Sequence, residues 1–261
     1  MRRFIDALRS EFRKFLTVRS SIIGVAMTAG LTIGFGALIC FVMRQQYPAL
    51  SVQEKLTFDP VVFAFAGVLF GQFATGVIGA QFITSEFATG AIHTTLASVP
   101  SRWSVLFAKA SVLKFVLIVT SAVSVIISFF VGQSILAGPG IPVAHISDPG
   151  IARQVALTAL YLVLLGLLAM GLGFILRQTA ATISVYVVVL LVLPIIDVLM
   201  PSSFRDATFK YLPSSLGRSM MSGSQPYIYP VFSPWVSTGI FIAYLVVLFG
   251  VAGFLFAKRD V

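Results

Sequence analysis

Charged residues are scarce in this sequence. They make up 10% of the 261 residues, whereas hydrophobic residues make up 58% and the mean hydropathy is +1.00. A soluble domain carries about 25% charged residues, so the composition excludes an ordinary water-soluble protein and indicates a polytopic membrane protein. Lysine and arginine outnumber acidic residues by 18 to 9. The positive-inside rule accounts for this excess, so we expect no nucleic acid as a partner.

Residue types that carry catalytic or metal chemistry are also few. The single cysteine, Cys40, lies in an apolar run and cannot form an intramolecular disulfide. The two histidines, His93 and His145, are predicted on opposite sides of the membrane and therefore share no metal. No serine stands in a G-x-S-x-G setting and no H-E-x-x-H is present. We expect no catalytic residue and no metal site.

A nucleotide-binding loop is missing as well. A P-loop needs a lysine followed by serine or threonine after a glycine-rich turn, because backbone amides and the lysine hold the phosphates together. No lysine here is followed by either residue. The chain therefore has no ATPase site of this kind, and we expect it to bind no cofactor itself.

Six apolar runs are long enough to cross a hydrocarbon core, which takes about 20 helical residues. The sequence predicts an all-α fold, since the runs show no strand-like alternation. The runs fall at Ser21–Met43, Val61–Thr84, Val112–Leu136, Val155–Leu176, Ala180–Met200 and Val236–Phe256. Within them, Gly30 and Gly34, and Gly67 and Gly71, have the spacing that lets helix backbones approach, either within one chain or between two copies. Asp197 is the carboxylate well within a span, and both a structural and a functional role stay open for it.

The basic residues orient these spans. With a cytoplasmic N-terminus, twelve of the eighteen lie on the cytoplasmic side: Arg2, Arg3, Arg9, Arg13, Lys14, Arg19, Arg102, Lys109, Lys114, Arg177, Lys258 and Arg259. We therefore expect both termini in the cytoplasm. Lys109 and Lys114 flank the start of the third span, and we expect both to snorkel to the cytoplasmic interface.

The first nineteen residues predict an amphipathic helix over 1–19. Its basic face suits anionic head groups at the membrane interface, and membrane lipid is an expected partner. The residues that define its two faces include Arg2, Arg3, Phe4, Leu8, Phe12, Phe15 and Leu16. A simple positive topology anchor is the alternative.

A polar loop at 85–103 interrupts the first half of the chain and is predicted to be cytoplasmic. Ser85 is a candidate N-cap for a short helix there, with Glu86 in the first turn. Gly90 loosens this helix and Pro100 ends it. A second unusual segment, 201–233, mixes apolar residues with helix breakers. We expect it to form short helices or turns that dip toward the outer leaflet; a small extracellular domain is the alternative.

Taken together, these features resemble one family. The basic amphipathic N-terminal helix, the YLPSS and SPW of the outer segment and the ending FAKRD stand in the family's order. The cytoplasmic loop adds Glu86, Gly90, Thr95, Leu96, Pro100, Ser101 and Arg102 in its E-x-x-x-G and P-x-R pattern. The whole chain resembles the six-span permease subunit of ABC transporters of the type-2 (ABC-2) export family. The family's glycine–threonine pair is Gly90–Ala91 here, a departure within that turn.

The resemblance implies a permease in the bacterial cell membrane that pairs with a second permease copy, identical or closely related, and with two cytoplasmic ATPase subunits. ATP and Mg would bind those subunits, and 85–103 would be the coupling helix beside the N-terminal helix. The expected ATPase contacts are Glu86, Phe87, Gly90, Thr94, Thr95, Leu96, Arg102 and Arg177. A cargo pathway lined by Phe63, Phe70 and Phe73 would suit a hydrophobic or amphipathic compound such as a drug, a peptide antibiotic or a lipid-like product. A non-transporting membrane anchor or assembly subunit and an ion-coupled carrier are the alternatives.

Overall fold

The fold is an all-α bundle, as the sequence predicts. A computed structural model describes residues 2–98, 101–222 and 232–258, with side chains from Leu8 onward in the first helix. Within these ranges there is no strand, and six helical segments are long and apolar enough to cross a membrane. The chain is therefore a multi-pass helical membrane protein.

The helices of the first half run from the N-terminus to the end of the third span. They are α1 (Arg2–Thr17), α2 (Arg19–Gln46), a 3₁₀ turn (Tyr47–Ala49), α3 (Val52–Leu56), α4 (Pro60–Ala64), α5 (Val68–Thr89), α6 (Ala91–Ser98) and α7 (Arg102–Leu136). The second half contains α8 (Ile151–Leu176), α9 (Thr179–Val187), a π-helical turn (Val188–Val192), α10 (Leu193–Leu199), α11 (Ser202–Thr208), a 3₁₀ turn (Phe209–Tyr211), α12 (Pro213–Met221) and α13 (Pro234–Lys258).

Helix α8 forms the centre of the bundle and packs against α5, α7, α9, α12 and α13. Its most apolar stretch is 72% buried, far more than the 22% of α2. Gly79 of α5 lies against the backbone of Gly166 in α8, where an added Cβ would strike the carbonyl oxygen. Small residues thus let these two backbones approach closely.

The second span is interrupted near its N-terminal end. Asp59 caps α4 by accepting hydrogen bonds from the Val61 and Val62 amides, and a short turn separates α4 from α5. Gly67, at this turn, packs against backbone atoms of Thr32 in α2.

Two of the predicted packing glycines do not pack within this chain, and their packing in a dimer stays a prediction. Gly30 and Gly34 are exposed, and a methyl group added at either Cα would meet no neighbouring atom within 4 Å. The inward stripe of α2 consists of Thr28, Thr32 and Gly36 instead. The four-residue spacing alone did not reveal which stripe of the helix faces the bundle.

The fifth span changes its winding at the π-helical turn, just before Pro194. Proline has no amide hydrogen and disturbs the regular ladder, and π-turns are one way to absorb this. Asp197, one turn further on, is buried and accepts a hydrogen bond from Thr208 of α11. This contact gives Asp197 a structural role in tying the span to the segment that follows.

The segment 201–233 contains α11 and α12. Helix α12 packs against α8 and α13, with Gly217 directly against the ring of Tyr161. Ser219 donates a hydrogen bond to the carbonyl of Phe232, which closes the segment onto the start of α13. Residues 223–231 lie outside the described residues.

Candidate functional site: a buried charge cluster beside α6

Helix α6 is an eight-residue helix set between two long spans. Helix α5 runs to Thr89 and ends at Gly90, whose φ of 70° is the left-handed conformation typical of a helix C-cap. The predicted N-cap at Ser85 is wrong, because Ser85 lies inside α5 and donates to the carbonyl of Gln81. Gly90 therefore separates two helices rather than loosening one, and Pro100 lies outside the described residues.

Four charged side chains and one threonine meet under α6, and we call Glu11, Lys14, Glu86 and Lys109 the charge cluster. The Lys109 ammonium donates to Glu11 and, at 2.7 Å, to Oε1 of Glu86. The Lys14 ammonium donates to Glu11 at 2.9 Å, to Glu86 at 3.2 Å and to the Thr95 hydroxyl at 3.2 Å. The cluster thereby connects α1, α5, α6 and α7.

Burial explains why these charges must be paired. The side chain of Lys109 is 0% exposed, those of Glu11 and Glu86 are 5% and 12% exposed, and that of Lys14 is 42% exposed. Two ammonium groups face two carboxylates, so the cluster is neutral, and the Lys109 ammonium also lies 5.2 Å from the centre of the Phe82 ring. An unpaired charge at such a position would cost several kcal/mol.

The predicted snorkelling of Lys109 is therefore wrong. Its ammonium points into the bundle because two carboxylates are there to receive it. Glu86, expected to favour the start of a helix, lies in the last turn of α5. There the helix dipole is unfavourable for a carboxylate, and the two lysines compensate for it.

The pKa values of the two α1 residues follow from this pairing. Burial alone would raise the pKa of Glu11, but the Lys109 and Lys14 ammonium groups outweigh it and hold the pKa below its usual value. Burial alone would lower the pKa of Lys14, and the carboxylates of Glu11 and Glu86 outweigh it and raise the pKa. Both groups are therefore held in their charged forms at neutral pH.

Aromatic contacts dock α1 beside the cluster. Phe15 is 3% exposed and its ring lies 5.7 Å from that of Phe82. Phe12 meets Phe115 of α7 edge-on at 6.0 Å, and Leu8 packs against the same core. Leu16, predicted on the apolar face, is exposed instead. The side chains of the other predicted interfacial residues, Arg2, Arg3 and Phe4, lie outside the described residues.

A second group of side chains, the arginine–aromatic cluster, joins α8 and α13 to α5 and α7 at the same end. The guanidinium of Arg177, at the C-cap of α8, lies 5.1 Å from the centre of the Phe87 ring. Phe87 meets Phe256 edge-on at 6.2 Å, and the guanidinium of Arg102 lies 5.9 Å from the Phe256 ring. Arg102 also donates to the Phe256 carbonyl at 2.6 Å. This cluster therefore fastens α5, α7, α8 and α13 together.

The residues of α6, among them the predicted contacts Thr94, Thr95 and Leu96, divide between two faces. Ile92 and Thr95 are buried, while Leu96 packs partly against the core. His93 and Thr94 are exposed, and the Thr94 hydroxyl is satisfied by the carbonyl of Ala91. Helix α6 thus has an inner face fixed to the bundle and an outer face open to a partner.

The three phenylalanines predicted for a cargo pathway have separate surroundings. Phe63 packs near Phe58 at a ring distance of 4.9 Å, and Phe70 stacks on Phe35 at 3.9 Å. Phe73 packs against the main core. The structure does not gather Phe63, Phe70 and Phe73 into one cluster, and a shared pathway stays a prediction.

Glu11 is the member of the charge cluster that sequence patterns did not single out. A signal was present, since Leu8, Phe12 and Phe15 are spaced for one helix face and position 11 falls within that face. A carboxylate on an apolar face indicates a partner cation. Among the described residues no group of three or more histidine, cysteine or acidic side chains is placed to hold a metal.

No protein-family model matches the chain, and no curated protein matches it either. The class that its fold defines is a multi-pass helical membrane protein with six candidate spans. Any finer function must be argued from its own residues.

Proposed function

We propose that this chain is the membrane-spanning permease subunit of an ATP-driven exporter of the ABC-2 type. It would pair with a second permease copy and with two separate ATPase subunits that bind ATP and Mg. The cargo would be a hydrophobic or amphipathic compound. The observation that carries the proposal is the arrangement of α6, a short surface helix with an open outer face and an inner face fixed to the spans through the charge cluster.

This arrangement suits the transfer of force. Glu86 is on α5, one turn before α6, and the Lys109 ammonium that binds it belongs to α7. Lys14 joins Glu86 and Thr95 to α1. Displacement of α6 by a partner would therefore move two spans and the amphipathic helix together.

The energy source must lie outside the chain in this proposal. The sequence has no P-loop lysine. A separate ATPase that docks on the exposed side chains of His93 and Thr94 would supply the work. The resemblance of the loop to the coupling helix of ABC-2 permeases supports the same assignment.

Co-purification tests the docking surface. The tagged chain is expressed with the candidate ATPase subunit, and the ATPase retained on the affinity column is measured. We expect His93→Asp to remove it, because a new charge enters the contact. Gln53→Asp is the matched control, since Gln53 is exposed on α3, at the end of the spans opposite to α6. Full retention by His93→Asp would contradict docking at α6.

Cysteine labelling tests the orientation. Cys40 is 0% exposed and leaves a low background for a membrane-impermeant maleimide. We expect His93→Cys to react only in inside-out vesicles and Gln53→Cys only in intact cells. Reaction of residue 93 from outside the cell would overturn the proposed topology and the ATPase contact with it.

Transport separates the proposal from its alternatives. We expect inside-out vesicles with both subunits to accumulate a fluorescent amphipathic dye only when ATP is supplied. Retention of the ATPase without such accumulation would favour a membrane anchor. Accumulation that needs a proton gradient and persists without ATP would favour an ion-coupled carrier.

A further inference from the structure

A cavity of about 390 Å³ lies between α1, the start of α2, the last turns of α5 and the start of α6. Its inner end is closed where Gly24 of α2 packs against Ile78 of α5, since a methyl group added at the Gly24 Cα would strike the Ile78 side chain. Its mouth carries exposed hydroxyl side chains, namely Thr17, Ser85, Thr89 and Thr94. The cavity therefore opens at the end of the bundle that carries α6 and is closed toward the middle of the spans.

The hydroxyl groups at the mouth can accept hydrogen bonds but have no hydrogen left to donate. Each of them donates to a backbone carbonyl of its own helix, as Ser85 does to Gln81 at 2.7 Å and Thr89 to Ser85 at 2.9 Å. A hydroxyl has one hydrogen and two lone pairs. A ligand in the mouth therefore meets oxygen lone pairs.

The charge cluster gives the deeper wall the same character. Glu11, Lys14 and Glu86 line the cavity, whereas Lys109 does not. An ammonium group has three hydrogens, and Lys14 already donates to Glu11, to Glu86 and to Thr95. Oε2 of Glu86 is buried and accepts a hydrogen bond from no described residue. The wall thus offers carboxylate acceptors, and the donors of its one cation are in use.

The rest of the wall is apolar. It consists mainly of Phe15, Val18, Ile78 and Phe82. Phe15 and Ile78 are each 3% exposed, and the rings of Phe15 and Phe82 lie 5.7 Å apart. The inner part of the cavity therefore suits a short hydrocarbon or aromatic group, and the volume falls within the range of about 300–1,000 Å³ that ligand pockets occupy.

We propose that this cavity binds a small organic cation, an ammonium ion with a short apolar tail. The ammonium donates to Oε2 of Glu86 and to the hydroxyl oxygens of Ser85 and Thr89, and the tail lies against Phe15 and Phe82. An anion would face two carboxylates, and a neutral alcohol would bring one donor hydrogen where an ammonium brings three.

The closed inner end decides between two sources of such an ammonium. The head group of an amine-bearing phospholipid has the same chemistry, but the contact between Gly24 and Ile78 leaves its acyl chains no space toward the bilayer centre. A soluble amine is therefore the better occupant. Because the site includes side chains of α1, α2, α5 and α6, the bound amine stabilises α1 in its docked position. The inference does not depend on the proposed ATPase.

Protection of a cysteine at the mouth tests the site. The full-length Thr94→Cys variant is placed in nanodiscs of phosphatidylcholine and labelled with a maleimide, with phenethylamine as the probe and phenethyl alcohol as its neutral isostere. The buried Cys40 leaves a low background. We expect phenethylamine at ten times its dissociation constant to slow labelling about tenfold, because the rate falls as the site fills. The alcohol at the same concentration should have a much smaller effect. Labelling of His93→Cys, next in sequence but outside the cavity, should not change.

Two variants decide the outcome. We expect Ser21→Leu to abolish protection, because Ser21 lines the cavity and leucine fills it without touching the charge cluster. Glu86→Gln should remove the preference for the amine over the alcohol. Equal protection by both probes, or protection that survives Ser21→Leu while Cys40 stays unreactive, would overturn the proposal. Slow labelling in nanodiscs that contain phosphatidylethanolamine, with no further effect of phenethylamine, would also overturn it, since a lipid would then fill the cavity.

Hydrogen–deuterium exchange tests the effect on α1. Because the amine binds only when α1 is docked, the protection of the α1 amides should rise by the same factor of about ten. Unchanged exchange of α1 at a phenethylamine concentration that protects residue 94 would contradict the proposed stabilisation.

Discussion

Replacement of Lys109 by methionine tests how much the buried ion pairs of the charge cluster contribute to holding α1 against the bundle. Methionine keeps the length of the side chain and removes the charge. Glu11 and Glu86 then face each other with Lys14 as their remaining partner. Removing one partner of a buried ion pair costs about 3–5 kcal/mol, because the other charge stays buried.

A local movement can relieve the cost of the unpaired buried charge. Glu11 is carried by α1, and movement of α1 away from the bundle would return Glu11 and Lys14 to water. The aromatic contacts of Phe12 and Phe15, the packing of Leu8 and the Lys14 hydrogen bond to Thr95 oppose this movement. We therefore expect Lys109→Met to raise the population with α1 released by roughly 100-fold to several thousand-fold, the factor for about 3–5 kcal/mol.

Hydrogen–deuterium exchange of α1 measures this population. We expect the protection of the α1 amides to fall by the stated factor, while Cys40 stays unreactive toward a maleimide because the spans remain folded. Lys14→Met is the matched control. Lys14 is 42% exposed, and in Lys14→Met the Lys109 ammonium still pairs with both carboxylates, so its effect should be clearly smaller than that of Lys109→Met.

The reverse experiment tests the cause. In the triple variant Glu11→Gln, Lys109→Met and Glu86→Gln the charge that remains is that of Lys14, which is 42% exposed and can reach water, and replacing the buried charges together is often neutral. We expect α1 protection to return close to the native level. Equal effects of Lys109→Met and Lys14→Met, or exposure of Cys40 in Lys109→Met at the native temperature, would refute the reasoning.

Three further predictions concern pH and packing, and thermal unfolding in detergent followed by tryptophan fluorescence measures them all. The folded pKa of Glu11 lies below its unfolded value of about 4.3. The stabilisation by the Glu11 carboxylate is therefore complete above that pH and is lost as the pH falls through the folded pKa. The difference in stability between native protein and Glu11→Gln should stay constant from about pH 8 to 6 and shrink below about pH 4. Gly79→Ala should destabilise by about 1–3 kcal/mol because the new Cβ meets backbone of α8, whereas Gly30→Ala, in open space, should be neutral or slightly stabilising. Tyr186→Phe should cost about 1 kcal/mol of stability, because the Tyr186 hydroxyl donates to the backbone carbonyl of Gln72 inside the bundle. Unchanged stability of Gly79→Ala or of Tyr186→Phe would contradict the described packing.

Hydropathy predicted the spans well because burial in lipid requires long uncharged helices. All six predicted runs overlap the six candidate spans, with the largest differences where helices continue beyond the apolar core. Helix α7 begins at Arg102 rather than at 112 because its first turns pack on α1 and α13 instead of lipid. Hydropathy therefore predicts the part of a helix that crosses the membrane but not the turns that continue beyond it.

The contacts of the candidate site needed the fold. Glu11 and Lys109 are 98 positions apart, and Glu86 and Lys14 are 72 apart. No spacing within a short stretch of sequence predicts contacts between residues so far apart in the chain. The same limit applies to Gly30 and Gly34, whose spacing was right for close packing while the helix presents its opposite face. Sequence patterns define a helix face, and only packing decides which neighbour that face meets.

The two clusters at the predicted cytoplasmic end differ in what holds them together, and this difference bears on how the bundle would move. The arginine–aromatic cluster depends on ring contacts and on Arg102 bound to carbonyl groups of α13, interactions that tolerate small displacements. The charge cluster tolerates little displacement, because moving the Lys109 ammonium away from either carboxylate leaves a buried charge without its partner. A displacement of α6 should therefore carry the neighbouring ends of α1, α5 and α7 as one unit, while the rings of Phe87 and Phe256 let the adjoining ends of α8 and α13 shift slightly and the close α5–α8 packing at Gly79 and Gly166 stays in place. The boundary between moving and fixed parts would then fall at the arginine–aromatic cluster, so Phe87→Ala should weaken the coupling of ATP hydrolysis to transport without releasing α1.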